Sequence, residues 1–174
     1  MAPSALLRSS PILVRAGLPL VGGQMVAHAR RRRLPLLLSA NAFATRYHRG
    51  HTKSGAFKAF KKDISNLDGL DCALDSAGFV AMARYRGFPW GVRDYCELVG
   101  ARAWSWAAQP DLCCEPEIAS DAAARLLRVA GTVKLYLRAQ AAATEMGVMP
   151  LMPVLQGFLP AEYRLCFDLM PIAE

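Results

Sequence analysis

The residues of this chain best suited to chemistry stand where short apolar runs end. Asp75 closes one run and is followed by Ser76 and Phe79, Asp111 closes a second, and Gln156 a third. A carboxylate accepts N–H donors, an amide can donate to a carbonyl oxygen, and a phenyl ring can stack on a flat ring. Gathered at one place, these groups would form a receptor for a planar, guanine-like heterocycle. Taken singly, Asp75 and Asp111 could equally cap turns or helices.

Four segments share this pattern of an apolar run that ends in small or polar residues. They are Leu34–Asn41, Leu70–Gly78, Ala103–Asp111 and Leu151–Gly157. Short, continuous apolar runs are typical of strands that are buried on both faces of a parallel sheet. The carboxyl ends of parallel strands share one edge, and α/β proteins bind ligands there. The pattern therefore predicts that the polar residues meet.

Helices are predicted between and after these strands. Trp90–Ala101 has the pattern of a short helix, Pro116 can open a long helix that stops at Gly147, and Pro160 can open a last one. The segment 46–62 is basic and polar, which predicts a loop with at most a helical turn. The long helix has an apolar stripe at steps of three and four, formed by Ile118, Ala122, Leu126, Val129, Val133, Leu137 and Ala141.

Alternating strands and helices are typical of an α/β fold, either a doubly wound sheet or a (β/α) barrel. A complete eight-fold barrel takes about 200 residues or more, and four strand–helix units are half of one. We therefore predict a partial, truncated TIM (β/α) barrel over residues 34–174. Residues 1–33 are predicted to form a disordered basic leader.

Charge is divided unevenly along the chain. Residues 1–62 hold twelve Lys or Arg and no Asp or Glu, and residues 63–174 hold nine against fourteen, so +12 and −5 give the net +7. A basic front suits a polyanion such as nucleic acid. The first 33 residues also resemble an organelle transit peptide, and more faintly a signal peptide. No apolar run approaches the roughly 20 residues of a spanning helix, so we predict a cytoplasmic protein without a membrane partner.

The cysteines and histidines give no ligand pattern for a metal. The five cysteines lack a C-x-x-C spacing, and the three histidines lie far from them in sequence. This predicts free thiols in a reducing compartment, no metal site and no cofactor.

Several motifs together resemble the tRNA-guanine transglycosylases, and more closely their deazapurine-in-DNA protein A branch. They are LPLLLSAN, ALDSAGFVAMARYRGFPW, PDLCCEPEIA and MPVLQGFLPAEY, and the resemblance spans residues 34–170. It implies a TIM barrel that exchanges guanine in DNA or tRNA for a 7-deazaguanine. It further implies a covalent bond between an enzyme aspartate and the sugar.

The resemblance implies roles for the residues around the first motif. Asp75 would assist proton transfer at the base, Ser76 and Gly78 would shape the floor of the pocket, and Phe79 would stack on the base. Ala77 stands where the family usually has glycine, which adds a methyl group at that floor.

The later motifs carry the remaining implied roles. Asp111 would hold the amino and ring N–H groups of the base, and Gln156 and Gly157 would bind its carbonyl side. Cys113 would line the pocket, although a small buried thiol is an equally good interpretation.

Arg84 and Arg86 lie among three aromatic residues in RYRGFPW. Such a mixture could hold a phosphate and stack a base, so we predict nucleic-acid contacts for both arginines. A loop that packs its own aromatic side chains is the alternative.

The leading hypothesis is a transglycosylase-like base exchange, with nucleic acid and a 7-deazaguanine as partners. The family's nucleophilic aspartate lies in the later half of the barrel, and Asp168 is better explained as a solvated helix residue. This predicts a truncated form that lacks the nucleophile. One alternative is a non-catalytic half-barrel that binds a base or nucleic acid, or a subunit of a homo- or hetero-oligomer. Another is an unrelated (β/α) hydrolase that uses Asp75 and Asp111.

Overall fold

A computed structural model describes residues 13–47 and 56–172 of the chain. The strands are β1 (Ala16–Leu18), β2 (Leu36–Ser39), β3 (Ala44–Arg46), β4 (Phe57–Phe60) and β5 (Cys72–Asp75). The helices are α1 (Gly23–Arg32), α2 (Gly78–Tyr85), α3 (Val92–Gly100), α4 (Ala122–Met146) and α5 (Pro160–Leu169). The prediction of an α/β fold is confirmed.

The central sheet is parallel and follows the order β1-β2-β5. Two further extended segments continue it through parallel bridges, Ala107 beside Leu74 and Met152 beside Ala108. The Ala108 N–H donates to the Leu74 carbonyl at 2.8 Å, and the Gln109 N–H donates to the Met152 carbonyl at 2.9 Å. The five segments therefore lie side by side in the order in which the chain runs. The described residues form no closed barrel.

The last two of these segments pair over a shorter length than the sequence predicts. Each pairing consists of a single bridge instead of a full ladder of strand pairs. Proline explains the difference, because Pro110 follows the first segment, and Pro150 and Pro153 flank Met152 in the second. Proline has no N–H to donate to a sheet, so the pairing is interrupted there.

The prediction of disorder over residues 1–33 is wrong for the part that the structure describes. Residues 16–32 form β1 and α1, and residues 1–12 lie outside the described residues. Apolar residues of this segment, among them Leu18 and Val26, are buried in the core. Arg30 also donates to the carbonyls of Asn66 and Asp68, at 2.8 and 2.7 Å. The segment is rich in basic residues, but α1 is an amphipathic helix whose apolar face packs on the core.

The loop predicted over residues 46–62 is wrong at its ends, because β3 and β4 form an antiparallel pair there. The rings of Phe57 and Phe60 pack on each other and on Trp90, at centroid distances of 5.0 to 5.8 Å. The Thr45 hydroxyl also donates to the Ala59 carbonyl at 2.6 Å. Trp90, whose ring stabilises β4, lies outside the segment 46–62. The sequence of that segment alone therefore could not indicate that β3 and β4 pair.

All three predicted helices are present, and one of them begins later than predicted. α3 and α5 lie where the sequence predicts them, and Gly147 ends α4 in the left-handed region, at φ 64°. α4 begins at Ala122 instead of Pro116, because the Asp121 carboxylate accepts the Ala124 N–H at 2.8 Å and caps the helix. Within the described residues, no helix combines the length and apolar character needed to cross a membrane.

The face of α4 that is buried agrees with the predicted stripe at Val129 and differs from it elsewhere. Leu126 and Leu137 are exposed, whereas Thr132 and Ala139 are fully buried. Because α4 is rich in alanine, several of its faces are apolar at a spacing of three to four residues, and the sequence does not show which of these faces is buried. Ala139, Ala142 and Ala143 of α4 belong to the same buried cluster as α3, whereas Val129 of α4 is buried with Cys166 of α5.

Candidate active site

A cavity of about 260 Å³ opens at the carboxyl end of β5. β5 ends at Asp75 and α2 begins at Gly78, so the turn between them forms one wall. The cavity is lined by Asp75, Ala77, Gly78, Phe79, Val80, Asp111, Cys113, Glu115, Val154 and Gln156. Six of the residues that the sequence places in a base pocket thus share one cavity.

Asp111 ties together three segments of the chain at this cavity. The residue is 7% exposed. Oδ1 accepts the Ser76 hydroxyl at 2.6 Å, and Oδ2 accepts the Gln156 Nε2–H at 2.6 Å. Each carboxylate oxygen has a second lone pair, so Asp111 can still accept N–H donors from a ligand.

Gly78 is required by the position of the Asp111 carboxylate. A Cβ at residue 78 would lie 2.6 and 2.7 Å from the two carboxylate oxygens. Any side chain there would push the carboxylate away. The first turn of α2 also places its backbone dipole next to this negative charge, which favours the ionised form.

Asp75 lies at the mouth of the cavity and is partly exposed. Its Oδ2 accepts the Ala77 N–H at 3.0 Å, and Ser39 lies opposite it in the sheet register. Burial raises the pKa of Asp75 above its ordinary value, and the hydrogen bond from the Ala77 N–H counteracts part of that rise. A carboxyl of this kind is better suited to carry a proton than an exposed aspartate.

The pKa of Asp111 is also raised, first by burial and then by the negative charges of Asp75 and Glu115. The hydrogen bonds from Ser76 and Gln156 act in the opposite direction. The cavity thus holds two neighbouring carboxyls whose environments disfavour double ionisation, an arrangement typical of sites that bind or transfer protons.

Ala77 adopts a backbone conformation that favours glycine, at φ 68° and ψ 30°. An L-residue in the left-handed region crowds its Cβ against the backbone. The turn from β5 into α2 therefore explains why the related motif has glycine at this position. Ala77 is buried and packs with the hydrophobic core.

Phe79 and Glu115 form the more accessible part of the lining. Phe79, in the first turn of α2, is 49% exposed, so a face of its ring is accessible to a flat ligand. Glu115 was not singled out from the sequence. Its position four residues after Asp111, in the same motif, was the available signal.

Cys113 contributes an apolar wall. It is 1% exposed and packs with Ala81 and Met82. Burial, with the charge of Glu115 adding to it, raises the pKa of the Cys113 thiol to about 12, so the thiol stays protonated. All five cysteines are free and buried. Among residues 13–47 and 56–172, no three His, Cys, Asp or Glu side chains are placed to hold a metal.

Ser76, predicted to shape the floor of the pocket, and Gly157, predicted to bind the carbonyl side of the base, are not among the residues that line the cavity. Ser76 is fully buried and acts on Asp111. Gly157 packs against the start of α5, where a Cβ would lie 2.7 Å from the Tyr163 backbone nitrogen. Both residues shape the site without lining it.

Arg84 and Arg86 do not line the cavity. They lie at the carboxyl end of α2, where both are exposed and Arg86 caps the helix in the left-handed region. Asp168 forms an ion pair with Arg164 at 2.9 Å on the outer face of α5, away from the lining residues.

Glu162 holds the segment that presents Gln156. One carboxylate oxygen accepts the backbone N–H groups of Phe158 and Leu159, at 2.8 and 3.1 Å. The other accepts Arg125 Nε of α4 at 2.8 Å. This arrangement fixes the turn that follows Gln156 at the start of α5. It depends on contacts distant in sequence, which the local pattern did not reveal.

Comparison with known proteins identifies a family. The family model of deoxypurine in DNA protein A matches residues 64–174, which include three of the four motifs. The motif LPLLLSAN precedes the matched residues. No curated protein and no solved structure matches the chain. The match supports a transglycosylase-like role in the deazapurine modification of DNA. With well over half of its length matched, the chain belongs to the deoxypurine in DNA protein A (DpdA) family, a tRNA-guanine transglycosylase-like family.

Proposed function

We propose that the cavity binds guanine or a 7-deazaguanine and that the chain takes part in exchanging these bases in DNA. One observation carries the proposal: the Asp75 and Asp111 carboxylates, the Gln156 amide and the Phe79 ring surround a single cavity. Its volume is about 260 Å³, below the roughly 300 Å³ at which pockets for drug-sized ligands begin. Such a cavity suits one heterocycle.

Each group has a partner on a guanine-like base. The Asp111 carboxylate accepts the amino and ring N–H groups, and the second Nε2 hydrogen of Gln156 donates to the ring carbonyl. The Phe79 ring stacks on the face of the base. A base in a duplex must leave the stack to enter, and an aromatic platform offsets part of that cost.

Asp75 serves as the proton carrier in the proposed reaction. When the bond between the sugar and the base breaks, its electron pair stays on the base, and a proton is needed there. The raised pKa of Asp75 lets this carboxyl donate a proton to the leaving base and accept one from the incoming base. The neighbouring negative charges of Asp111 and Glu115 stabilise the positive charge that develops on the sugar.

The strand order supports a barrel-like architecture for this site. Neighbouring segments of the sheet follow the chain order, from β1 to Met152. Doubly wound sheets instead reverse their order at a switch point. We therefore propose that the five parallel segments are consecutive units of a (β/α) barrel. The family name, which refers to DNA, favours DNA over tRNA as the target.

A second candidate function is base binding without exchange, as part of a larger assembly. It is favoured by the position of Asp168, which is paired with Arg164 on the outer face of α5. The carboxylates that do line the cavity have roles in reading the base and moving protons. In this case the chain would supply the base pocket, and another subunit would supply the nucleophile.

Calorimetric titration with guanine and 7-deazaguanine, beside exchange of labelled guanine into duplex DNA, tests both candidates. Asp111→Asn removes an acceptor for the base N–H groups and should lower base affinity about 10- to 100-fold, the value of a hydrogen bond to a charged group. Asp168→Asn is the matched control and should leave the affinity unchanged. Binding with exchange supports the first candidate, and binding without exchange supports the second. If neither base binds, both candidates are wrong.

A further inference from the structure

The pair of strands β3 and β4, here called the basic hairpin, has no function in the site described above. It carries Arg46, Lys58 and, at its end, Lys61. Residues 1–62 contain no Asp or Glu, so no carboxylate from that part of the chain can neutralise these cations. None of the three forms an ion pair within the described residues. The hairpin therefore presents uncompensated positive charge.

Arg46 connects the basic hairpin to the helix that begins at the cavity. Its guanidinium lies 4.1 Å from the centroid of the Tyr85 ring. A register shift between Thr45 and Arg46 marks a β-bulge, a feature that redirects a side chain. One guanidinium nitrogen of Arg46, Nη2, is buried and has no hydrogen-bond partner among the described residues. Arg46 is thus held in place by stacking on Tyr85 and fixes the hairpin against α2.

The hairpin lies at the same end of the sheet as the cavity. The Tyr85 hydroxyl donates to Asn41 Oδ1 at 3.1 Å, and Asn41 follows the end of β2, where Ser39 pairs with Asp75. Tyr85 is six residues after Phe79 on α2, which is about 9 Å along the helix axis. At the 3.4 Å rise of one strand of duplex DNA, this spans about two to three nucleotides.

The hairpin is also anchored firmly enough to serve as a binding element. Phe57 and Phe60 pack on Trp90, and the Lys61 N–H donates to the Phe43 carbonyl at 2.9 Å. Phe43 is itself fully buried. The backbone is therefore fixed while the lysine side chains remain exposed.

We propose that the basic hairpin binds the phosphate backbone of DNA beside the nucleotide whose base enters the cavity. Lys58 and Lys61, whose side chains are exposed, contact phosphates along the strand, and Arg46 holds the hairpin against α2. This inference rests on the proposed function for its choice of DNA. The inference places a contact with nucleic acid in a segment that precedes the residues matched by the family model. This contact is additional to the one predicted for Arg84 and Arg86.

The test is the binding of a fluorescent DNA duplex to the full chain, measured by anisotropy over a range of salt concentrations. Lys58→Gln with Lys61→Gln should weaken binding roughly tenfold at moderate salt. The double variant should also lower the slope of log affinity against log salt by about two, one for each phosphate contact. The matched control, Lys134→Gln with Arg138→Gln, removes two exposed cations from α4 and should leave both quantities unchanged.

Titration with free guanine separates this inference from the proposed function. The hairpin variants should bind the free base as tightly as the unmodified chain, because no hairpin residue lines the cavity. Equal losses of DNA affinity in the hairpin and α4 variants, or no loss in either, overturn the inference even if the free base binds. Tighter, equally hairpin-dependent binding of an RNA duplex overturns the assignment to DNA.

Discussion

Asp111 links the recognition chemistry of the site to its structure. One oxygen is held by Ser76, from the turn after β5, and the other by Gln156, from the segment before α5. A ligand that binds Asp111 therefore contacts a carboxylate whose position is already set, which reduces the entropy lost on binding. The sequence indicated Asp111 and Gln156 by their place after apolar runs. Neither the bond between them nor the burial of Ser76 follows from such a pattern.

Ala77 is the residue at which the chain departs most clearly from the conformation its backbone requires. Because its φ of 68° favours glycine, Ala77→Gly should raise the free energy of unfolding by about 0.5–1 kcal/mol, after the greater freedom of glycine in the unfolded chain is subtracted. Urea unfolding at constant pH measures the change.

Ala83→Gly is the control for Ala77→Gly, since Ala83 is exposed in the regular part of α2. There the same substitution should lower the free energy of unfolding by about 1 kcal/mol. If both substitutions destabilise the protein equally, residue 77 is not strained in the way described.

At the scale of elements, helix and strand positions were predictable where the signals are local. Pro160 opens α5 and Gly147 ends α4, because proline and glycine act through their own backbone geometry. The β3–β4 pair is stabilised by Trp90, and the start of α4 is set by a single hydrogen bond to Asp121. Neither feature could be predicted from the local sequence. α2 was not predicted, because its first residue, Gly78, was assigned to the polar end of the preceding strand segment.

Gly157 belongs to the element scale, because it lets the segment that carries Gln156 approach α5. Gly157→Ala would bring a Cβ to 2.7 Å from the Tyr163 nitrogen. Overpacking of this kind should lower the free energy of unfolding by about 1–3 kcal/mol. Thermal and urea unfolding measure the loss.

Gly17→Ala tests whether the effect at Gly157 comes from packing. A Cβ at residue 17, in β1, would have no atom within 4 Å, so the change should stay within about 0.5 kcal/mol. A Gly157→Ala variant as stable as the Gly17→Ala variant would contradict the packing described for α5.

At the scale of the molecule, parallel pairing of strands was predictable, whereas the strand order and the extent of the fold were not, because the apolar runs fit both a doubly wound sheet and a barrel. Apolar runs at regular intervals indicated parallel strands, and the segments formed by these runs do lie parallel to one another in the sheet. The basic segment before residue 34 was misjudged, because composition alone does not show that Leu18 and Val26 fall on one buried face. Burial is a property of the whole chain, and a local count of charges cannot reveal it.

The two raised carboxyl pKa values should appear in the pH dependence of overall stability. In the unfolded chain Asp111 ionises near pH 3.9, whereas burial raises the pKa of Asp111 in the folded protein. Between the two values the folded state binds more protons, so this group's contribution to stability falls as pH rises. Asp111→Asn removes that contribution. The free energy of unfolding of the variant, minus that of the unmodified chain, should therefore increase from about pH 4 upward.

Asp63→Asn provides a control of opposite sign for this measurement. The Ser65 hydroxyl and N–H donate to Asp63 at 2.7 and 3.1 Å and lower the pKa of this exposed carboxyl. The stability from that bond is present above the unfolded pKa and is lost as pH falls through the folded pKa, so removing it should make the same difference decrease as pH rises. Urea unfolding measured both below about pH 4, where the Asp63→Asn difference changes, and above about pH 4, where the Asp111→Asn difference changes, yields both differences. If the Asp111→Asn difference stays level or follows the Asp63→Asn difference, burial does not raise the pKa of Asp111 in the folded protein, and the environment described for this carboxyl in the cavity is wrong.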